Sequence, residues 1–179
     1  MTDRLYFTGN VDADMLIAQD AFALLVGFAL DQQVQVQKAF MGPYVLRERL
    51  GGTLDPATVA AADLDPIFRE RPAIHRFPGA MATRVHDLAL HVLQRYDGRS
   101  ARVWTTATSP EELRANIEAL PGFGKMKVKA LGSVLAKRYG VAVAEPLVPW
   151  HPTLGDVDSA QALADYQASK KANKALWEA

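Results

Sequence analysis

The chain has 179 residues, of which 49% are hydrophobic and 22% are charged, and its formal net charge is zero. That length and apolar content favour one soluble domain over residues 1–179 with a core of its own. The absence of cysteine excludes disulfides, thiolate zinc sites, cysteine-ligated iron–sulfur clusters and a cysteine nucleophile. With no overall basic charge, nucleic-acid binding would have to depend on a local basic surface.

Helical periodicity dominates the first half of the chain and predicts an all-α fold. Residues 12–30 are predicted to form one buried helix, in which Gly27 indicates the close approach of another element. A second helix is predicted over residues 34–50, with a kink or break at Gly42-Pro43. The longest apolar stretch, 21–30, is too short to span a bilayer, and the polar N-terminus does not resemble a signal peptide.

The second half is predicted as further helices joined by short loops. Shorter helices are expected at 55–63 and 66–70, and a longer one at 79–97. Two more are expected at 109–120 and 125–139. The helix at 109–120 is predicted to begin with a Ser109/Glu112 capping box. Residues 140–157 are rich in proline and predict an extended connection. A last helix, 159–178, is predicted to begin at a cap of Asp158 or Ser159 and to fray at its polar end.

Between two of these helices lies LPGFGKMKVKAL, residues 120–131. Gly122 and Gly124 supply backbone freedom for a tight turn and leave the first amides of the next helix uncovered, which suits an anion such as a phosphate. Five cations and no acidic residue lie between positions 125 and 138, and three of them are close to the turn: Lys125, Lys127 and Lys129. An ordinary glycine-bearing turn followed by a solvated lysine face is the alternative interpretation.

LPGFGKMKVKAL resembles the helix-hairpin-helix motif of the helix-hairpin-helix/Gly-Pro-Asp superfamily of base-excision-repair DNA glycosylases. Residues 22–51 and 74–98 resemble that superfamily's preceding segments in the right order, so the resemblance covers roughly residues 20–140. It implies two small helical lobes: a helical lobe over about 20–100, then the hairpin and its following helix over about 109–139. It also implies that the amides of Gly122 and Gly124 bind a phosphate of double-stranded DNA, in some cases through a monovalent cation, Na⁺ or K⁺.

The glutamine-rich run DQQVQVQ, residues 31–37, follows a buried apolar helix. Amide side chains are costly to bury without partners. At a DNA interface they would fill the hole left by an extruded base and hydrogen-bond the unpaired base opposite. Gln32, Gln33 and Gln35 are therefore candidate DNA-binding residues, and an exposed turn between helices is the alternative.

The chain departs from the superfamily pattern at the catalytic aspartate. That residue is expected about twenty positions after the hairpin, where the nearest carboxylate is Glu145. A glutamate can also stabilise a cationic sugar or act as a general base. Asp158, with Asp156 beside it, is the alternative catalytic residue and would need an insertion in the connection. Each of these acids also has a plain interpretation as a surface residue or a helix cap.

A second departure concerns covalent chemistry. Members that form a Schiff base carry a lysine two positions after the second hairpin glycine, and that position here is Met126. We therefore expect a monofunctional enzyme with no required cofactor. Trp150, in the proline-rich connection, is a candidate for contact with an extruded base. The four histidines form no metal-binding pattern.

The resemblance implies a hydrolase that acts on N-glycosyl bonds in damaged or mismatched duplex DNA. A non-catalytic reader of distorted DNA with the same fold is the first alternative, and a fold used only for protein contacts is the second. We expect a cytoplasmic monomer without membrane contact, associated with the nucleoid in a prokaryote.

Overall fold

The computed structural model describes residues 2–179, and this part of the chain contains helices and loops but no β-strand, which confirms the all-α class. The α-helices are α1 Val11–Gln19, α2 Ala21–Leu30, α3 Val36–Arg49, α4 Pro56–Ala61, α5 Leu64–Arg69, α6 Pro78–Tyr96, α7 Arg102–Thr105, α8 Pro110–Glu118, α9 Lys125–Tyr139 and α10 Ala160–Trp177. Two 3₁₀ turns, Ala142–Leu147 and Leu154–Asp156, connect α9 to α10. Buried apolar side chains from α1 through α10 form one continuous cluster.

The prediction of a single helix over residues 12–30 is wrong, because the helix breaks at Asp20. The Asp20 carboxylate accepts a hydrogen bond from the Ala23 amide at 3.0 Å and caps α2. The axes of α1 and α2 differ by 112° at this point. Aspartate favours such a cap over a helix interior, since its short side chain competes for backbone amides.

Helix α2 is buried along almost its whole length and packs against α3. A Cβ atom at Gly27 would lie 2.4 Å from the Phe40 ring, so the close approach predicted for this glycine is confirmed. The Phe28 and Phe40 rings meet edge to face at 5.0 Å. Helix α3 continues through Pro43 without the division considered from the sequence.

Ser109 caps helix α8, as predicted, but the reciprocal half of the capping box differs. Ser109 Oγ accepts from the Glu112 amide at 3.1 Å. The Glu112 carboxylate accepts from the Thr108 amide at 2.7 Å and from its hydroxyl at 2.8 Å, one residue before the predicted partner. These bonds lower the pKa of Glu112.

Residues 140–157 are not the extended connection that the sequence predicted. Their two 3₁₀ turns pack closely on α9, and small residues permit the approach. A Cβ atom at Gly155 would lie 2.6 Å from the Ser133 carbonyl oxygen, and one at Gly132 would lie 2.8 Å from Leu147. Proline-rich composition predicted an irregular path but not its contact with the helix.

Helix α10 is capped by Ser159, whose hydroxyl accepts from the Ala162 amide at 3.0 Å. The polar end remains helical as far as Trp177. Trp177 is buried at the end of α10 and stacks on His151 with ring centroids 5.1 Å apart. This aromatic contact holds the helix end against the connection.

Among residues 2–179, no single helix has the length and apolar character needed to cross a membrane. The sharply bent pair of α1 and α2 meets those criteria only when the two helices are taken together.

Candidate nucleic-acid interface and adjoining cavity

The turn between α8 and α9 is anchored by its apolar residues and leaves its glycines at the surface. Leu120 and Phe123 are buried. Gly122 has φ of +79°, a left-handed conformation that side chains rarely adopt, and is exposed. Gly124 is the N-cap of α9, and nothing lies within 4 Å of where its Cβ would be. The first turn of α9 therefore has no side-chain cap, and the space where a side chain at Gly124 would lie is open.

The glutamine run forms the connection between α2 and α3, called here the glutamine turn, residues 31–35. Its backbone is fixed by hydrogen bonds from His75, in the segment before α6. The buried His75 donates from Nε2 to the carbonyl oxygens of Leu30 and Gln32, both at 3.1 Å, while its Nδ1 accepts from the Phe77 amide at 3.0 Å. Burial lowers the pKa of His75, which favours the neutral ring that this pattern needs.

The predicted glutamine side chains lie on the exposed face of this turn. Gln33 has φ of +56°, a conformation that costs a non-glycine residue about 1 kcal/mol or more. Gln32, Gln33 and Gln35 are all exposed. Within residues 2–179, the amide groups of Gln33 and Gln35 make no hydrogen bond, although Arg76 holds the Gln33 carbonyl at 3.3 Å. The amides of Gln33 and Gln35 are exposed and open to a partner, and a non-glycine residue held at positive φ, as Gln33 is, occurs preferentially at functional sites.

Arg84 of α6 joins the glutamine turn to the hairpin. Its guanidinium donates a hydrogen bond to the Gln32 side-chain oxygen. The same side chain lies across Gly122, where a Cβ atom would be 2.4 Å from its Nε. The two motifs predicted separately to bind DNA therefore share one surface, and one arginine touches both.

A cavity of about 180 Å³ lies next to this surface, between the end of α2, the start of α9, the connection and α10. Lys127, Asp31, Tyr166, Trp177 and His151 are among the residues that line it. Burial raises the pKa of the Asp31 carboxyl, although Lys170 and Lys127 oppose that change. Within the described chain, the Asp31 carboxylate has no hydrogen-bond partner and no ion pair within 4.0 Å.

Lys127 has a different environment from the other lysines of the hairpin. Its ammonium donates to the Ala29 carbonyl oxygen at 3.3 Å and lies 5.3 Å from the centre of the Phe123 ring. Burial, assisted by the charge of Arg84, lowers the pKa of Lys127 from 10.5 to about 8. Lys125, by contrast, is exposed. Of the three predicted lysines, Lys125 is the most exposed, whereas Lys127 and Lys129 are half-buried and line the cavity.

Substitution of Lys127 by methionine is expected to stabilise the protein at neutral pH. The folded chain binds the Lys127 proton more weakly than the unfolded chain, so its burial is costly below pH 8 and the cost disappears as the pH rises from 8 to 10.5. The free energy of unfolding should rise on the order of 2 kcal/mol at pH 7, after allowance for partial exposure. Urea denaturation at pH 7 and pH 10.5 would measure it. Lys125→Met is the control, and an equal gain for Lys127→Met at both pH values would contradict the prediction.

The predicted catalytic carboxylates do not line the cavity. Glu145 is exposed on the first 3₁₀ turn, and Asp158 is exposed just before α10. Asp156 has a structural role, because its carboxylate accepts from the Thr153 amide at 2.8 Å and pairs with Lys137. Trp150, the predicted base-pocket residue, is 73% exposed and also lies outside the cavity lining.

Sequence reasoning missed three residues that shape the site: Asp31, His75 and Arg84. Arg84 and His75 are distant in sequence from the motifs that they contact, and nothing in their local pattern marks them. Asp31 could have been found, since it is the only acid in the glutamine turn and follows directly on a buried helix.

No group of three or more histidine, aspartate or glutamate side chains within residues 2–179 is arranged to hold a metal ion. The monovalent cation predicted at the hairpin would be held by backbone carbonyls, so that prediction stays open.

Comparison of the chain with protein-family models, curated proteins and solved structures finds no significant match. The resemblance to the glycosylase superfamily therefore stays a prediction from the residues that carry it.

Proposed function

We propose that the chain is a DNA base-excision-repair glycosylase-like protein, a helix-hairpin-helix protein with two small lobes, that binds duplex DNA and extrudes a damaged or mismatched base. The observation that carries this proposal is the Arg84 contact, which brings the glutamine turn and the glycine hairpin onto one surface. Beside that surface is a cavity lined by aromatic and charged residues. A phosphate site, a wedge and a pocket are the three parts that base extrusion requires.

In this proposal the phosphate backbone is held at the start of α9. The uncapped amides after Gly124 and the partial positive charge of the helix end attract a phosphate oxygen. Lys125 and Lys129 contact neighbouring phosphates, and a Na⁺ or K⁺ ion is an optional bridge at the hairpin. Gln33 and Gln35 enter the base stack with amide groups that are unpaired in the free protein.

The proposed reaction is hydrolysis of the N-glycosidic bond by water, with Glu145 or Asp158 as the assisting carboxylate. Met126, which stands where a Schiff-base lysine is expected, is 42% exposed at the cavity. It has no amine, so the proposed enzyme is monofunctional and leaves an abasic site. We infer a cytoplasmic monomer that needs no further cofactor.

A second candidate is a non-catalytic reader of damaged or distorted DNA. It is favoured by the exposed positions of Glu145 and Asp158, because a carboxylate has to lie beside the glycosidic bond to assist its cleavage. The reader needs the hairpin, the glutamine turn and the cavity, but neither of these carboxylates.

A cleavage screen separates the two candidates. Purified protein would be incubated with duplexes that carry uracil, 7-methylguanine, hypoxanthine, 8-oxoguanine or an adenine mismatch, and then treated with hot alkali. For a monofunctional glycosylase we expect strand breaks only after alkali. If Glu145 or Asp158 assists the attacking water, Glu145→Gln or Asp158→Asn respectively should lower the rate of base excision by roughly 100-fold or more. A break without alkali would contradict the monofunctional proposal and would implicate the Lys127 amine. Retained DNA binding with no strand break on any duplex would favour the non-catalytic DNA-binding protein.

A further inference from the structure

A groove with a basic lining, called here the basic groove, borders the glutamine turn. Two open depressions share Ala73, His75 and Arg76 and therefore form one continuous groove. Gln33 and Gln35 belong to its lining. The groove shares no lining residue with the cavity between α2, α9 and α10, so the two are separate features of the surface.

Positive charge is concentrated in the basic groove. Within the described chain its lining contains no acidic side chain and four lysine or arginine side chains: Lys38, Arg69, Arg71 and Arg76. Asp65 pairs with Arg69 at 2.8 Å and so offsets one of these charges. Glu70 pairs instead with Arg49, at 3.0 Å. Three cations in one groove of a chain with zero net charge favour a polyanionic partner.

The wall of the basic groove is fixed from helix α3. Arg49 donates hydrogen bonds to three main-chain carbonyl oxygens between Ile67 and Pro72, at 2.8–2.9 Å. Lys38 donates to the carbonyl oxygen of Ala73. The groove is therefore already formed in the free protein, which lowers the entropic cost of binding a partner there.

Two arginines of the basic groove are available to a partner. Arg71 is exposed, and within residues 2–179 its guanidinium forms no hydrogen bond and no ion pair. Arg76 is also exposed and donates one hydrogen bond, to the Gln33 carbonyl oxygen at 3.3 Å, which leaves most of its N–H groups open. Guanidinium groups bind phosphate through paired N–H donors, so a sugar–phosphate backbone suits these side chains in charge and in geometry.

The place of the basic groove beside the glutamine turn indicates which part of a duplex it would meet. A side chain that enters the base stack lies between the two sugar–phosphate backbones. At the start of the glutamine turn, Gln32 contacts Arg84, which lies across the hairpin at Gly122. Further along the turn, Gln33 and Gln35 line the basic groove. If the hairpin binds one backbone, the groove is the basic surface that remains for the other.

We propose that the basic groove binds the sugar–phosphate backbone of the strand opposite the extruded base, through Arg71 and Arg76. Lys38 is exposed at the same groove and adds to its positive charge. The inference rests on the proposed function in taking duplex DNA as the partner and the hairpin as the site of the other strand. It holds equally for the glycosylase and for the non-catalytic reader, because it involves neither the carboxylates nor the cavity.

Fluorescence anisotropy would measure the affinity for a labelled duplex that carries a tetrahydrofuran abasic analogue in one strand, in place of the nucleotide whose base is extruded. Arg71→Glu removes no hydrogen bond or ion pair within residues 2–179 and should lower the affinity roughly fivefold. Arg71→Glu with Arg76→Glu should lower it roughly 50-fold and reduce the slope of log affinity against log salt concentration by about two. The control is Arg95→Glu, an equal charge change at an exposed residue at the far end of α6, and it should change the affinity by less than about twofold.

Neutral linkages in the DNA identify the strand that the basic groove binds. Methylphosphonates would replace phosphates near the abasic analogue, in one strand at a time. In the opposite strand they should weaken binding by the wild-type protein several-fold but leave the double variant nearly unchanged, because both changes remove the same contact. In the analogue-bearing strand they should weaken both proteins by the same factor.

The outcomes separate failure of the groove proposal from failure of the proposed function. If the wild-type protein binds the duplex but the groove variants bind it equally well, or lose no more affinity than Arg95→Glu, the groove proposal alone is refuted. Equal weakening of both proteins by neutral linkages in the opposite strand would also refute it. A wild-type protein that does not bind the duplex would refute the proposed function, and the groove proposal with it.

Discussion

Replacement of both Lys125 and Lys129 by glutamate is expected to abolish binding of duplex DNA. Both side chains lie near the start of α9, where the uncapped amides and the helix dipole attract phosphate. Charge reversal there replaces attraction by repulsion at two phosphate contacts. We expect the affinity for duplex DNA to fall by roughly 100-fold or more. For any remaining binding, the slope of log affinity against log salt concentration should be less steep by about two.

Fluorescence anisotropy with a labelled duplex over a series of salt concentrations would measure both quantities. The matched control is Arg95→Glu with Lys171→Glu, which makes the same change in net charge at exposed cations away from the hairpin. The control should keep most of the affinity. If the two double variants lose affinity equally, the DNA lies elsewhere and the hairpin is an ordinary turn.

Alanine substitutions at the two hairpin glycines are expected to differ in their effect on stability, although both should weaken DNA binding. At Gly122, alanine would adopt a strained positive φ and would place its Cβ 2.4 Å from Arg84. We expect a loss of about 1–3 kcal/mol in the free energy of unfolding, together with weaker DNA binding. At Gly124 the backbone suits any residue and the Cβ would meet nothing within 4 Å, so stability should change by less than about 0.5 kcal/mol.

DNA binding by Gly124→Ala should nevertheless fall several-fold, because the new methyl group occupies the space through which a phosphate reaches the amides. Chemical denaturation and anisotropy on the same samples would measure the two effects. Full DNA affinity in a stable Gly124→Ala protein would rule out phosphate binding at this backbone.

Most helices and the turn between α8 and α9 could be predicted from the sequence because their signals are local. Helix α9 begins at Lys125 and ends at Tyr139, as predicted, since Gly124 and Gly140 bound it on either side. The break at Asp20 was missed because the apolar pattern continues across it, and only the capping preference of aspartate marks the boundary.

The arrangement of the candidate site could not be predicted in the same way. Arg84 lies 52 positions from Gln32 along the chain, and the cavity is completed by Trp177 and Tyr166 at the far end of the sequence. Contacts at such separations leave no periodicity in either partner. The search for a carboxylate at a fixed spacing after the hairpin therefore led to Glu145 and Asp158, whereas the carboxylate that the fold places in the cavity is Asp31.

The position of Arg84 would make the two motifs proposed to bind DNA energetically dependent on each other. A phosphate held at the hairpin would be a stronger partner for this guanidinium than the neutral Gln32 amide that it holds in the free protein. Capture of the backbone would then draw Arg84 away and release Gln32 toward the base stack. Binding of the duplex at the hairpin would then precede the release of Gln32. The Gln32 side chain would stay hydrogen-bonded to Arg84 until DNA has bound.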